Sequence, residues 1–230
     1  QTGHIQFADV ALPLLWNLGA VALGLALAVL LSKEVKGMPA FRTIYYLPTV
    51  VPIVASAMLF LWVLNPEYGL LNNFLSWFGI RGPSWLSDPK FTKISLMIMD
   101  VWRCGQNTVI FLSALKAVPK SFYEAAELDG AGLWKKFWHI TMPGLRPTTF
   151  YVMVNMIIGS FNVFIQVMML TGGDPNGKTS VLQYLLYDRA FNQFEFGEAS
   201  AIGMISAVTI VALTIILNRV FKLDNVEQEG

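Results

Sequence analysis

Residues 172–179 of this 230-residue chain read Gly-Gly-Asp-Pro-Asn-Gly-Lys-Thr, which satisfies the spacing of a phosphate-binding loop. In such a loop, backbone amides and the lysine hold nucleotide phosphates, and the segment stands between a β-strand and a helix. Here a long apolar run precedes the motif, and the sequence contains no parallel-strand pattern. We therefore expect this segment to form a turn and not a nucleotide site.

Two ionisable residues of opposite charge, Asp100 and Arg103, lie three positions apart in an otherwise apolar run. This spacing places both side chains on one face of a helix. Ionisable groups within a membrane are expensive and usually functional. Two interpretations stay open: the residues form a self-neutralising ion pair within the helix, or Arg103 lies on a conduction pathway.

Uncharged amides accompany this pair in the same apolar run and in the next one. Each amide both donates and accepts hydrogen bonds, which suits a hydroxyl-rich ligand. Each could instead bond to a neighbouring helix. The candidates for a substrate pathway are Arg103, Gln106, Asn107, Asn155, Asn162 and Gln166.

The scarce cysteine and histidine residues argue against metal and disulfide chemistry. A single cysteine, Cys104, excludes an internal disulfide, and the two histidines, His4 and His139, lie far apart in the sequence. The net charge of +1 gives no general attraction for nucleic acid. We expect no metal, no cofactor and no nucleic-acid partner.

Membrane spans are the elements that must position these residues. Hydrophobic residues make up 55% of the chain and charged residues 13%, with a mean hydropathy of +0.54, whereas soluble domains carry about 25% charged residues. Crossing about 30 Å of hydrocarbon takes roughly 20 residues. We predict an all-α polytopic membrane protein in which residues 1–230 form one transmembrane domain, with spans at residues 10–31, 43–64, 94–115, 147–170 and 199–218.

Local patterns predict how two of the spans behave. Ala20, Gly24 and Ala28 recur at every fourth position, which suits close helix–helix packing in lipid. Pro48 and Pro52 lie within the second span. Because proline removes a helical hydrogen bond, we expect a kink there.

The distribution of Lys and Arg predicts the orientation, because positive residues are enriched in cytoplasmic loops. The side with ten of them is expected to be cytoplasmic, so the C-terminus lies inside and the N-terminus outside. An outside start without a cleavable signal suggests an earlier span. The ten are Lys33, Lys36, Arg42, Lys116, Lys120, Lys135, Lys136, Arg146, Arg219 and Lys222, against Arg81, Lys90, Lys93, Lys178 and Arg189 on the other side.

The loop of residues 116–146 carries the most specific pattern on the predicted cytoplasmic side. Ser121 followed by Glu124 is a capping-box pattern, so a helix is expected to begin at Ser121. Gly130 is expected to end that helix, because glycine accepts the left-handed conformation. A second helix is expected at residues 133–140, with an aromatic-rich surface.

This loop resembles the EAA loop of ABC importer permeases. The matching residues are Glu124, Ala125, Ala126, Gly130, Ile140 and Pro143, with Met142 where leucine is usual. Further segments resemble the carbohydrate-uptake type, the relatives of the maltose and glycerol-3-phosphate importers. These are residues 41–43, 47–48, 69–72, 85–86, 161–162 and 170–173, so the resemblance extends over nearly the whole chain.

The resemblance implies a six-helix core, of which five spans are present, in the plasma membrane of a bacterium or archaeon. It implies that Glu124, Ala125 and Ala126 insert into a cleft on a cytoplasmic ATPase, and that Gly130 lets the chain turn away. The implied partners are a second homologous permease, an ABC ATPase dimer, an extracytoplasmic solute-binding protein, membrane lipid and a saccharide. The spans on either side of the loop would supply the solute contacts, and the chain itself would not be an enzyme.

Several of these residues could instead have a purely structural role. Glu124 also fits a helix cap, and Gly130 a helix stop. The aromatic residues at 134–138 fit either ATPase contact or a membrane-interface belt. The segments 65–93 and 179–194, on the predicted outer side, fit either a docking surface for a binding protein or helices lying on the membrane.

Two rival functions are weighed against the permease. A secondary carrier driven by an ion gradient would usually show internal hydropathy repeats, which the sequence lacks. A membrane-embedded enzyme would need a cluster of catalytic residues within the spans, and Asp100 and Arg103 alone do not form one. Neither rival explains the EAA pattern. For the solute, a neutral or mildly charged oligosaccharide is preferred over an acidic sugar, because Asp100 stands close enough to neutralise Arg103.

Overall fold

The computed structural model describes residues 7–32, 38–175 and 179–221. Within these ranges every regular element is a helix and no β-strand occurs, so the predicted all-α class is confirmed. Two π-helical turns, Phe137–Thr141 and Asp188–Asn192, extend α8 and α12. The helices are α1 (Phe7–Leu31), α2 (Met38–Val50), α3 (Ile53–Val63), α4 (Leu70–Ser76), α5 (Thr92–Trp102), α6 (Gly105–Ala117), α7 (Lys120–Leu128), α8 (Leu133–Lys136), α9 (Met142–Gly144), α10 (Arg146–Phe161), α11 (Ile165–Leu170), α12 (Leu182–Tyr187) and α13 (Phe196–Phe221).

Three of the five predicted spans are interrupted near their middle. The span at residues 43–64 is divided between α2 and α3, which are bent by 99°, so the kink expected from the prolines is confirmed. The span at 94–115 is divided between α5 and α6, and the span at 147–170 between α10 and α11. No proline marks these two breaks. Instead α5 ends at a C-cap arginine, Arg103, and α10 at a C-cap asparagine, Asn162.

Length and hydropathy single out one continuous helix within the described residues as sufficient to cross a membrane, and this is α13. The bent pair of α2 and α3 passes the same test when the two halves are taken together. The predicted spans at 10–31 and 199–218 lie within the continuous helices α1 and α13. Shortening by internal breaks explains why the other predicted spans do not appear as long helices.

The hydrophobic core has two separate parts, one on each side of the breaks. The first, which we call the Met99 cluster, joins α3, α5 and α11 through Ala57, Phe60, Leu64, Leu96, Met99, Val163, Val167 and Leu170, together with Val181. The second, the Phe111 cluster, joins α1, α6 and α10 through Val21, Ala28, Phe111, Leu112 and Val152, together with Leu145. Each half of the molecule therefore has its own packed interior.

Small residues allow the helices around α6 to approach closely. Ala20 and Ala28 are buried, and a Cβ atom added at Gly24 would lie 3.0 Å from Cβ of Asn107. The packing expected for this stripe is confirmed, because α1 lies against α6. On the other side of α6, a Cβ at Gly105 would lie 2.5 Å from the carbonyl oxygen of Tyr45 in α2.

The start of α7 differs from the sequence expectation. The helix begins at Lys120 with Pro119 as its N-cap, and no side chain caps it, so the expected start and capping box at Ser121 are wrong. The physical reason lies in Pro119, whose ring fixes φ near the helical value. Its φ of −59° and extended ψ of 131° lead directly into the helix and place Ser121 within the first turn.

A folded cap joins α3 to α5 and is organised by one asparagine. Oδ1 of Asn72 accepts a hydrogen bond from Nε1 of Trp85 at 2.6 Å, and its Nδ2 donates to the carbonyls of Pro66 and Pro83. A Cβ atom at Gly82 would lie 1.9 Å from Oδ1 of Asn72. The helix expected within residues 65–93 is α4, and Asn72 ties it to the loop that follows.

Candidate functional site

The end of α7 forms a regular left-handed turn at the residues that match the EAA pattern. Gly130 has φ +70°. The amide of Ala131 donates to the carbonyl of Ala126 at 2.8 Å, and the amide of Gly130 donates to that of Glu127 at 3.0 Å. This pair of bonds is the Schellman motif, in which a glycine in the left-handed region ends the helix. Gly130 therefore does stop the helix, which is compatible with a second role in docking.

Much of the surface around this turn is exposed. Glu124 and Ala125 are exposed and Ala126 is partly buried. Two leucines that flank the turn are almost bare, because Leu128 is 91% exposed and Leu133 is 85% exposed. Apolar side chains left this bare at the end of a polar helix are typical of an interaction surface. The arrangement can accept a partner without first unfolding.

Aromatic rings form a compact group directly after the turn. The ring of Trp134 stacks on Phe137 with centroids 6.2 Å apart and contacts Trp138 edge-on at 5.8 Å. Trp134 is 73% exposed and Trp138 is 49% exposed. The π-helical turn from Phe137 to Thr141 places these rings on one patch. The aromatic-rich surface expected from the sequence is confirmed, and its choice between ATPase contact and membrane interface stays open.

Two side-chain contacts brace α7 against the segment that leads into α10. The hydroxyls of Tyr123 and Thr141 lie 2.9 Å apart, and Lys136 forms an ion pair with Glu127. The chain before α7 is also close to the chain after it. A Cβ atom at Gly144 would lie 3.0 Å from Cγ2 of Val118.

Arg103 is hydrogen-bonded to the bend between α2 and α3. Its Nη1 atom donates to the carbonyl of Val51 at 2.8 Å, to Oγ of Ser56 at 2.8 Å, and to the carbonyl of Pro48 at 3.4 Å. The side chain is partly buried. The carboxylate of Asp100, one turn earlier on α5, accepts a hydrogen bond from Nε2 of Gln166 on α11 at 2.9 Å. Two of the candidate pathway residues, Arg103 and Gln166, therefore bond to residues outside their own helices.

The other pathway candidates occupy different surroundings. Gln106, Asn155 and Asn162 are exposed. The Nδ2 atom of Asn155 donates to its own helix at the carbonyl of Tyr151, and that of Asn162 does the same at Ile158. Asn107 is partly buried where α6 lies against Gly24 of α1. The role of all six residues in a pathway stays a prediction.

Sequence reasoning missed several polar contacts at the level of the breaks. Nδ2 of Asn17 donates to Oγ of Ser160 at 2.9 Å, which joins α1 to α10. The hydroxyl of Tyr45 lies 2.6 Å from Sγ of Cys104 and joins α2 to the break after α5. Ser56 had a readable signal, because it follows Pro52 by one helical turn. The partners of Asn17 and Tyr45 lie too far along the chain for any local pattern.

The segment that imitates a phosphate-binding loop is a turn after a helix. Helix α11 precedes it where a phosphate-binding loop would have a strand. Gly172 and Gly173 have φ of +59° and +83°, and Oγ1 of Thr179 lies 2.9 Å from Oγ1 of Thr171. Residues 176–178, which include the lysine of the motif, lie outside the described residues.

One tyrosine covers this turn. A Cβ atom at Gly173 would lie 2.6 Å from the ring of Tyr184. Burial of the ring raises the pKa of the Tyr184 hydroxyl, and the nearby negative charges of Asp188 and Asp174 raise that pKa further.

Across the part of the chain that the structure describes, no group of three His, Cys, Asp or Glu residues could hold a metal ion.

The broken apolar helices and the exposed helix α7, which ends at a left-handed glycine, agree with the membrane transport subunit that the sequence resemblance implied. Residues 20–223 match the family described as the inner membrane component of binding-protein-dependent transport systems. The chain therefore belongs to this family and is a permease subunit of an ABC importer.

Named relatives agree with this assignment. The chain is 35% identical over 204 residues to the "Probable ABC transporter permease protein YurN" of Bacillus subtilis (strain 168), covering 86% of this chain and 70% of that protein. It is 34% identical over 199 residues to the trehalose/maltose transport system permease protein MalF of Thermococcus litoralis, covering 86% of this chain and 67% of that protein. These matches give no support to the secondary carrier considered from the sequence.

A solved structure has the same fold. It is the crystal structure of a bacterial alginate ABC transporter in complex with a periplasmic protein that holds an alginate pentasaccharide. The TM-score is 0.83 at 25% sequence identity, and the alignment covers 92% of this chain and 75% of that one.

Proposed function

We propose that this permease subunit carries a saccharide, and that partner ATPases supply the energy by docking on α7. The observation that carries the coupling proposal is the exposed helix end in which Glu124, Ala125 and Ala126 precede a Schellman turn at Gly130. A left-handed glycine gives a sharp turn with no side chain in the way. A short helix that ends in this manner can enter a cleft and leave it again.

The orientation that follows places α7 in the cytoplasm and the turn at residues 172–179 outside. The same orientation puts the C-terminal end of α13 in the cytoplasm. It rests on the asymmetry of Lys and Arg between the two sides of the sequence. The proposed ATPase docking on α7 requires the same cytoplasmic location, so the coupling proposal and the orientation proposal are consistent with each other.

The proposed solute contacts come from the amides that remain exposed beside the breaks. Gln106 follows the break between α5 and α6, Asn162 caps α10 at the third break, and Asn155 lies about two turns earlier in α10. Their donors and acceptors match the hydroxyl groups of a sugar. Asn107 adds a partly buried amide on the face of α6 towards α1.

Exposed apolar surface gives room for the other partners. On α13, Met204, Val208 and Val211 are 57% to 69% exposed, which suits lipid or a second permease subunit. On the proposed outer side, Trp77 is 81% exposed. We propose that this outer surface receives the solute-binding protein, because a relative of known structure was crystallised with a periplasmic partner.

The names of the relatives support the proposed solute class. MalF belongs to a trehalose/maltose system, and the structural relative belongs to an alginate transporter. Trehalose and maltose are neutral sugars, whereas alginate is an acidic polysaccharide. We propose an oligosaccharide for this chain, with a neutral or mildly charged one preferred.

Uptake by the reconstituted complex tests this proposal. The permease pair, the ATPases and the binding protein are assembled in vesicles, and uptake of neutral oligosaccharides, uronate oligosaccharides and peptides is measured with and without ATP. We expect ATP-dependent uptake of an oligosaccharide and no uptake of peptides. Uptake confined to peptides or amino acids would refute the saccharide, and uptake without ATPases would refute the coupling.

Single substitutions then test the pathway. We expect Gln106→Ala and Asn162→Ala to lower uptake while the complex still assembles, because each removes a solute hydrogen bond. Thr209→Ala is the control, since the Thr209 hydroxyl bonds to the carbonyl of Ile205 within α13, away from the breaks and from the proposed docking surface. Equal uptake in all three variants would remove these residues from the pathway.

A further inference from the structure

Two of the three helix breaks are joined by polar contacts at the boundary between the two hydrophobic clusters. The breaks fall at residues 51–52, 103–104 and 162–164. On one side of them lie the side chains of the Met99 cluster, and on the other those of the Phe111 cluster. A break in a buried helix leaves backbone groups without their helical partners. Side chains near the breaks must therefore form hydrogen bonds with these backbone groups, or the groups stay without partners.

Arg103 supplies replacement donors at the sharpest of these breaks. Pro52 has no N–H, so the carbonyl of Pro48, four residues earlier, lacks its helical donor. Nη1 of Arg103 donates to the carbonyl of Val51, in the bend, at 2.8 Å, and makes a longer, shared contact of 3.4 Å with the carbonyl of Pro48 in the last turn of α2. A cation at the C-terminal end of a helix is also favoured by the helix dipole.

The same nitrogen reaches across the bend to the other half. Nη1 donates to Oγ of Ser56, which is buried in the first turn of α3, with a side chain that is 0% exposed. Ser56 also donates to the carbonyl of Pro52 at 3.2 Å. One guanidinium thus contacts the end of α2 and the start of α3 while standing at the end of α5.

Asp100 ties the third break to the same helix. It lies one turn before Arg103 on α5 and accepts the hydrogen bond from Gln166, which is the second residue of α11. This bond joins α5 to α11 within the half that contains the Met99 cluster, whereas the bonds of Arg103 reach back to the end of α2. Charge-assisted hydrogen bonds of this kind are the stronger ones in proteins.

We propose that Arg103 is a positioning residue that holds the bend between α2 and α3 against the end of α5, and that Arg103 does not read the charge of the solute. Both hydrogens of Nη1 are donated to the bend, so this arm of the guanidinium is held within the protein, and the carboxylate of Asp100 accepts a hydrogen bond from Gln166 on α11. Arg103 thereby fixes the angle at which α3 meets α2 at the end of α5. This proposal rests on the proposed transport function only for its uptake assay.

Uptake in the complete reconstituted complex distinguishes positioning from charge reading. We expect Arg103→Gln to lower uptake of neutral and uronate oligosaccharides by the same factor, about tenfold, because hydrogen bonds to a charged group are lost in both cases. Arg103→Lys keeps the charge and is expected to restore part of both activities. A loss confined to uronate solutes in Arg103→Gln would overturn the proposal.

A distance measurement tests the positioning role without any solute. Spin labels on Ile44→Cys in α2 and Met58→Cys in α3 use exposed positions on the two sides of the bend. We expect one narrow distance distribution in the otherwise unchanged complex and a broad or shifted one with Arg103→Gln. The native Cys104 is 5% exposed, so the chain without added cysteines gives the background.

Ser56→Ala provides a milder second variant if Arg103→Gln does not assemble. It removes one acceptor of Nη1, and we expect it to broaden the distance distribution and to lower uptake of both kinds of solute equally. An unchanged distribution in the variants that assemble would overturn the positioning role. This outcome is independent of the cargo, so failure of the saccharide proposal and failure of the positioning proposal are distinguishable.

Discussion

The hydroxyl of Tyr123 on α7 lies 2.9 Å from that of Thr141, in the π-helical turn that leads into α10. Thr141 is buried, with only 6% of its surface exposed, whereas α7 is largely open to a partner. Together with the ion pair between Lys136 and Glu127, this contact makes a strut between the proposed ATPase joint and α10. A displacement of α7 would therefore move α10, which carries Asn155 and Asn162.

Removal of either hydroxyl of the strut is expected to weaken coupling. Tyr123→Phe and Thr141→Val each lose a bond worth about 1 kcal/mol, so we expect about a fivefold drop in uptake per ATP hydrolysed. The double variant is expected to lose no more than either single one, because all three lack the same bond. Parallel assays of uptake and ATP hydrolysis in the reconstituted complex give this ratio.

Tyr68→Phe is the control for the strut, because Tyr68 is 59% exposed in the cap before α4. Its ratio of uptake to hydrolysis should equal that of the unchanged complex. Additive losses in the Tyr123–Thr141 double variant would contradict a shared bond.

Substitution of Gly130 separates the helix stop from the docking role. Gly130→Ala places a side chain at φ +70° and is expected to cost about 1–2 kcal/mol, whereas asparagine at this position should cost less. A Cβ there meets nothing within 4 Å in the isolated chain. A larger loss of ATPase binding than of subunit stability would therefore report contact with the partner.

Gly130→Asp adds a charge to the proposed docking surface and is expected to abolish transport while the subunit still inserts, because burying that charge is costly. Gly132→Ala is the matched control, since Gly132 has an ordinary φ of −68° and open space around it. Co-purification of the ATPases measures docking directly. Full transport and ATPase binding in Gly130→Asp would sink the coupling proposal.

The proposed orientation predicts which side an impermeant thiol reagent can reach in intact cells. Lys90→Cys, in the cap before α5, should be labelled, and Lys120→Cys, at the start of α7, should be spared. Both positions are exposed, and Cys104 is buried, so the unsubstituted chain serves as the blank. Labelling of Lys120→Cys alone would reverse the orientation. Lys178→Cys should also be labelled, although that residue lies outside the described ranges.

Loss of the Asn72 amide should loosen the cap between α3 and α5. Asn72→Ala leaves Nε1 of Trp85 and two backbone carbonyls without this partner, and we expect a loss of about 1–3 kcal/mol. Asn73→Ala, which removes an exposed amide bonded to Tyr68, should change stability far less. Thermal unfolding of the purified complex measures both. Equal midpoints for the two variants would remove Asn72 from its organising role.

Local patterns in the sequence were enough to predict the helical class and several individual features. The long apolar runs predicted the helices, the stripe of Ala20, Gly24 and Ala28 predicted close packing, and the two prolines predicted the bend. Gly130 was predicted from its position after a run of helix formers. Each of these features depends on residues within one or two turns of each other, so the amino-acid order alone contains the information.

The tertiary structure decided the breaks without proline and the partners of the charged pair. Asp100 and Arg103 are three residues apart, yet the bonds of Arg103 reach Val51 and Ser56, and that of Asp100 reaches Gln166. The same holds for Asn17 with Ser160. These contacts join residues that are about 50 to 140 positions apart, so they exist only once the helices have packed. Local periodicity specifies which face a side chain occupies, and packing alone specifies what that face meets.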